Sequence, residues 1–318
     1  MTHKAEIAAN VAAFAAIYLI WGSTYLAIAV GVETIPPLLM IGVRCLAAGG
    51  VLYAYARLRG VPPAGRAAWG DAWIAGALLF FGGQGVLAWA EQRVPSATAA
   101  LLLATTPMFV ALFAWSGGSV AGGRRRVRPG AVGGAGLLLG LVGVGLTVRG
   151  GAGGAPLDRL GVAALLFSAM SWAAGTMRAG SRHDPSPERR AATHLIAGGT
   201  LLLTASVLTG EAAGLEIHGA SARSLLALGY LTLFGTLVAY SAFVWLLSRT
   251  DPTKVASHAY VNPAVAMLLG GTVGGEALSS TTMVGAAVIV LSVVVLVTRG
   301  ATTTARVVCG DGSVQEAF

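Results

Sequence analysis

The sequence is poor in charge. Only 11% of its 318 residues are Asp, Glu, Lys or Arg, against about 25% in soluble domains. A soluble protein of this size could not cover its surface with so few ions, which excludes a soluble enzyme. Lysine is nearly absent: of 21 basic residues only Lys4 and Lys254 are Lys. Cysteine is scarce too. Cys45 lies in an apolar run and Cys309 in a polar tail, so neither a disulfide framework nor a zinc spacing exists, and no metal site is expected. Carboxylates are missing from the middle of every apolar run, which disfavours a pump relaying protons through a central acid. Glu91 and Glu276 lie near run ends. No metalloprotease motif, nucleophile elbow or carboxylate cluster is found, so no catalytic residue is assigned. Gly83-x-Gly85-x-x-Ala88 imitates a dinucleotide loop but sits inside an apolar run with no strand before it, so no cofactor is expected.

Apolar sequence is abundant, at 55% of residues. It falls into ten runs, roughly 11–31, 37–57, 72–91, 96–116, 130–148, 160–178, 191–210, 224–248, 254–273 and 280–298. Each is long enough to cross a bilayer as a helix at about 20 residues per crossing. The runs are continuous rather than alternating, which favours helices over a barrel. The first run exceeds a signal-peptide core and no clear cleavage site follows, so it is expected to be retained. The predicted fold class is therefore an all-α integral membrane protein with ten transmembrane helices and no large soluble domain.

Orientation follows from the basic residues. With the N-terminus inside, sixteen Lys and Arg fall on the inner side and four on the outer side, with Arg44 within a span. This asymmetry predicts cytoplasmic N- and C-termini. Residues 1–10 form a cytoplasmic tail, and residues 301–318 a cytoplasmic tail expected to be disordered. The run of Arg124, Arg125, Arg126 and Arg128 reads as an anchor on anionic lipid rather than a nucleic-acid patch. The lipid bilayer is the expected partner and nucleic acid is not; a homodimer stays open.

The two halves resemble each other. Ile41–Gly49 aligns with Ala191–Gly199, which matches Arg44 with His194. Trp21 matches Trp172, Pro95 and Pro107 answer Pro252 and Pro263, and Thr-Val-Arg-Gly150 answers Val-Thr-Arg-Gly300. Residues 11–150 and 156–300 thus form two five-helix repeats. Five is odd, so the second repeat enters the membrane from the opposite side, as in transporters whose substrate binds near the midplane between halves.

The residues in common with a known family are Ile20-Trp-Gly-Ser-Thr-Tyr25, Arg44-Cys-Leu-Ala-Ala, the stretch Pro95–Pro107, Tyr260-Val-Asn-Pro263 and Gly274-Gly-Glu276-Ala-Leu. In order and spacing they resemble the EamA family of the drug/metabolite transporter superfamily over about residues 11–299. The resemblance implies two inverted five-helix repeats and export or exchange of small metabolites across the inner membrane, with spans 5 and 10 at the periphery. The first half lacks a Glu matching Glu276 and carries Gly-Gly-Arg-Arg-Arg126 there.

Polar and aromatic residues within spans are the candidates for a substrate path. His258, Tyr260 and Asn262 lie in span 9; His258 and Asn262 are four apart and share one helix face. Gln84 and Trp89 lie in span 3, and Tyr240 in span 8. Trp21, Tyr25 and Trp172 could line the ends of the same path, and interhelical bonding or interfacial belting are the structural alternatives. Pro107 and Pro263 are expected to break their helices. Arg44 has two open roles, binding a substrate anion or anchoring structure by snorkelling or by holding backbone carbonyls. His194 is a gate or a packing histidine. The expected function is an inner-membrane secondary transporter, exporter or exchanger, moving amino acids or amphipathic drugs by alternating access. A membrane-embedded enzyme and a non-transporting scaffold are the alternatives. The Gly136-x-x-x-Gly140 spacing in span 5, and Gly270, Gly271, Gly274 and Gly275 in span 9, are expected to let helices pack closely.

Overall fold

The computed structural model describes residues 3–115, 131–151, 155–179, 186–211, 219–247, 249–250, 255, 258–299, 305–308 and 314–317. The basic run at 124–128, Arg182 and Lys254 lie outside the described residues.

Long apolar stretches without water can satisfy their backbone only as helices. Among the described residues, eight helices are long and apolar enough to cross a membrane: α1 Ile7–Gly31, α2 Pro37–Leu58, α3 Arg66–Ala90, α4 Ser96–Phe113, α5 Val132–Gly150, α6 Arg159–Ala179, α7 Pro187–Leu208 and α8 Ala222–Leu247. Two further apolar helices follow, α9 His258–Thr272 and α10 Ser280–Arg299. In the ninth expected span the described helix runs over 15 residues, about 22 Å at 1.5 Å each, and Val255 ahead of it is also helical. Helices α3 and α7 begin at Arg66 and Pro187, before the apolar runs expected from 72 and 191. The tail expected to be disordered carries an antiparallel hairpin, Ala305–Val308 against Val314–Ala317, with Ala305 opposite Ala317.

The helix starts are set by local chemistry. Proline occupies the first position of α2 and α7, where its missing N–H costs nothing. Ser221 Oγ accepts from the Ser224 N–H at 3.0 Å to cap α8, and Ser279 Oγ accepts from the Thr282 N–H at 3.1 Å to cap α10. Two other starts are capped from far along the chain. Glu211 accepts from the Leu38 and Leu39 N–H groups at the head of α2. Glu276 accepts from the Ser96 N–H, the Ser96 hydroxyl and the Ala97 N–H, at 2.6–2.9 Å, at the head of α4. A carboxylate there meets both the free N–H groups and the positive helix end.

The helices pack in a reciprocal pattern. The largest shared faces join α5 to α10 and α2 to α7. Helix α3 packs on α6 and α7, and α8 on α1 and α2; α4 meets α9, while α4 lies on α6 as α9 lies on α1. Each of these contacts maps onto another, or onto itself, when every helix is exchanged for the one five places away. Glycine permits the closest approaches. A Cβ on Gly143 would stand 2.8 Å from the Ile289 backbone nitrogen and 3.0 Å from the Gly285 oxygen, so α5 and α10 touch backbone to backbone. In α5, Gly136 accepts from Ser292 Oγ at 2.7 Å through its carbonyl. The expectation for the span-9 glycines holds for two of the four: a Cβ on Gly270 would stand 3.2 Å from Ala97 and one on Gly274 3.0 Å from Leu26, whereas Gly271 and Gly275 face open space and Gly275 serves a turn at φ +66°. The outer face of α5 presents Leu138, Leu141 and Val142, all exposed, as a lipid-facing surface requires.

Three helices contain π-helical stretches, Ala16–Ile20 in α1, Ala77–Gly85 in α3 and Leu231–Val238 in α8. Helix α4 is broken at Ala104–Thr105 into Ser96–Leu103 and Thr106–Trp115. Pro107 has no N–H for the Leu103 carbonyl, and the Thr106 hydroxyl donates to it instead at 2.7 Å. Pro263, by contrast, does not break its helix: α9 runs through it. Neighbouring polar groups can supply the backbone partners that proline removes.

Candidate functional site

A cavity lies between α1, α2, α3, α4, α6, α8 and α9, enclosing about 900 Å³ of empty space with the solvent at its mouth included. Trp21 and Trp172, the two residues matched between the halves, both line it and meet edge to face with centroids 5.9 Å apart. Phe243 completes an aromatic box, 5.0 Å from Trp21 and 6.2 Å from Trp172. The π-helical stretches place this box. Trp21 follows the first, and its indole N–H donates to the Gly235 carbonyl within the third at 3.1 Å. Gln84 stands within the second.

Tyr25, Arg44, Gln84, His258, Asn262, Pro107 and Pro263 also line the cavity. His258 donates from Nδ1 to the Val255 carbonyl at 2.9 Å, which leaves Nε2 an acceptor in the neutral ring. Its ring lies 5.1 Å from Trp21. The Asn262 carboxamide faces three backbone carbonyls, those of Ile17, Tyr18 and His258, at 3.1–3.2 Å. Its amide nitrogen therefore belongs on that side, tying α9 to α1. The shared face of His258 and Asn262 thus holds one aromatic-stacked residue and one helix-to-helix bond. Arg44 is buried at 5% exposure. Its Nη2 donates to Gln84 Oε1 at 3.2 Å, while Nε and Nη1 have no partner among the described residues.

The family model of the EamA-like transporter family matches this chain twice, over residues 9–149 and 159–298. The chain belongs to that family. Among its relatives, the uncharacterized inner membrane transporter YedA of Escherichia coli (strain K12) is 38% identical over 269 residues, covering 83% of this chain and 82% of that one. A WAT1-related chloroplastic protein of Arabidopsis thaliana is 27% identical over 282 residues, 85% of this chain and 64% of that protein. One solved crystal structure matches with a TM-score of 0.62 at 24% identity, over 91% of this chain and 96% of that chain, a likeness of fold.

In this EamA-like transporter, two of the expected path residues, Trp89 and Tyr240, stand away from the cavity lining. Trp89 instead carries the Arg93 guanidinium over its ring at 4.6 Å. Tyr240 is buried, packing on Phe80 and Phe243, and its hydroxyl meets His194 Nδ1 at 3.2 Å. His194 is buried at 2% exposure and is not among the residues that line the cavity. Tyr260 lies in α9, and its side chain is outside the described residues. Arg93 also pairs with Asp158 at 3.2 Å. The Leu160 N–H and then Arg93 hold the Asp158 carboxyl below its ordinary 3.8, at the exposed head of α6. Sequence reasoning missed Phe243, Leu87 and Leu247 as lining residues. They are ordinary apolar side chains in apolar helices, and nothing in the sequence distinguishes them from lipid-facing ones.

Proposed function

We propose that this protein is an inner-membrane secondary transporter that moves a small amphipathic solute by alternating access between two inverted five-helix repeats. The observation that carries the reading is the aromatic box formed by Trp21 and Trp172, one from each half, at the wall of a cavity. The reciprocal helix contacts and the two family matches support a pseudo-two-fold relation, and five helices per repeat make it an inverted one. A mostly apolar chamber with a few polar groups suits an amphipathic solute. Leu247 ends α8 and Val255 precedes α9, and both line the cavity, which therefore reaches the face on which α8 ends. On the count of basic residues that face is cytoplasmic, with both termini, so the state is inward-facing.

Transport in proteoliposomes tests the proposal. Wild-type protein should release a preloaded solute from a panel of metabolites and amphipathic drugs, and empty liposomes should not. Flux of no solute, together with a bond-breaking activity, would overturn it. Tags on the two ends should be accessible from the same membrane face; opposite faces would reject the inverted repeat.

A further inference from the structure

We infer that the cavity takes an organic anion, a carboxylate on an aromatic or branched apolar body, and that Arg44 with Gln84 forms its head-group site. The inference rests on the transporter reading above and specifies its cargo.

A buried guanidinium is costly unless an anion and hydrogen-bond acceptors compensate it. Arg44 is 95% removed from solvent, yet its sole hydrogen-bond partner is the Gln84 side-chain oxygen, an uncharged acceptor. Nε and Nη1 are buried with no acceptor at all. Both structural alternatives for this residue are therefore absent: it neither reaches solvent nor ties down a backbone carbonyl. Orphaned buried donors are rare in folded proteins and call for a missing partner. The residue lines the cavity, and among the described residues no Asp or Glu lines it alongside. Among the described residues the chamber thus contains a fixed positive charge with no protein counter-ion in its lining, beside rings that would receive an apolar body. A planar carboxylate matches the guanidinium fork with two parallel bonds. An ammonium group would find no carboxylate here, which sets zwitterions and amines behind simple acids.

Three isosteric probes separate the charge types: 3-phenylpropionate, 3-phenylpropanamide and 3-phenylpropylamine. Binding to the purified full-length protein is read by quenching of tryptophan fluorescence, and flux is read in proteoliposomes, both at fixed pH and ionic strength. The anion should bind about tenfold or more tightly than the amide or the amine. Arg44→Gln should abolish that preference, lowering anion affinity far more than amide affinity. Arg44→Lys keeps the charge but loses the fork, and should retain an intermediate preference. If Arg44→Gln fails to insert, the wild-type ranking and Arg44→Lys decide the matter. An equal or reversed ranking in the wild type, an anion preference that survives in Arg44→Gln, or binding of none of the three overturns the inference. Flux of the amine or amide without the anion would overturn it while leaving the transporter reading intact; absence of flux for every solute in the wider panel would strike the transporter reading itself.

Discussion

Arg44 and His194 fall at matching places in the two halves, on α2 and α7, which share one of the most extensive helix faces in the molecule. Their surroundings are nonetheless opposite. His194 is satisfied by the Tyr240 hydroxyl and takes no part in the cavity lining, whereas Arg44 lines the cavity with two nitrogens unpartnered. The same asymmetry recurs in the prolines, since Pro107 sits at a break in α4 and Pro263 lies inside an unbroken α9. At these matched positions the duplicated scaffold carries a cavity-lining side chain in one half and a packed one in the other, with the paired tryptophans as their common ground.

Substitutions can break or sharpen this comparison. The largest effect is expected at the tryptophans, where both halves contribute alike. Trp21→Ala and Trp172→Ala should each lower flux by about tenfold or more, since truncating a packed Trp removes several kcal/mol of contact. A large loss for one and none for the other would show that the box belongs to a single half. Next comes Glu276→Ala, which strips three hydrogen bonds from the head of α4 and should destabilise the protein by about 2 kcal/mol in thermal unfolding in detergent. Glu211→Ala, with bonds of 3.0 and 3.3 Å at the head of α2, should cost less. A smaller effect is expected for Tyr240→Phe, which removes the partner of His194: about 1 kcal/mol of stability, with flux within about twofold of wild type. A flux loss as great as that of the tryptophan variants would make His194 a working residue and dissolve the contrast with Arg44. The smallest effect belongs to Asp158→Asn. Because the folded carboxyl titrates below its ordinary value, its contribution is present at neutral pH and fades as the pH falls through that value. The gap in melting temperature between wild type and Asp158→Asn should therefore narrow between pH 7 and pH 3, and a gap that widened with acid would reject this assignment.

The helices were legible because hydropathy alone dictates them, and the tryptophan match between the halves pointed at the box. Arg44, Gln84 and His258 stood out because polar groups are rare within such helices, and all three line the cavity. Tyr240 was misplaced for a physical reason. It and Phe243 are three residues apart, about one helical turn, and the choice between them depends on the register of α8. The π-helical stretch at Leu231–Val238 changes that register, and a regular count of 3.6 residues per turn cannot foresee it. The Glu276 cap was equally invisible, because its partners lie 180 residues away in the chain.

The break in α4 has a mechanical meaning. At Thr105 and Thr106 the carbonyls of Leu102 and Leu103 are bonded by side-chain hydroxyls, at 2.6 and 2.7 Å. A hydroxyl swivels about its own bond, so it can keep hold of a carbonyl while the two helix pieces change their angle. Helix α4 therefore has a lubricated knee beside the chamber, able to flex in oil without baring a polar group.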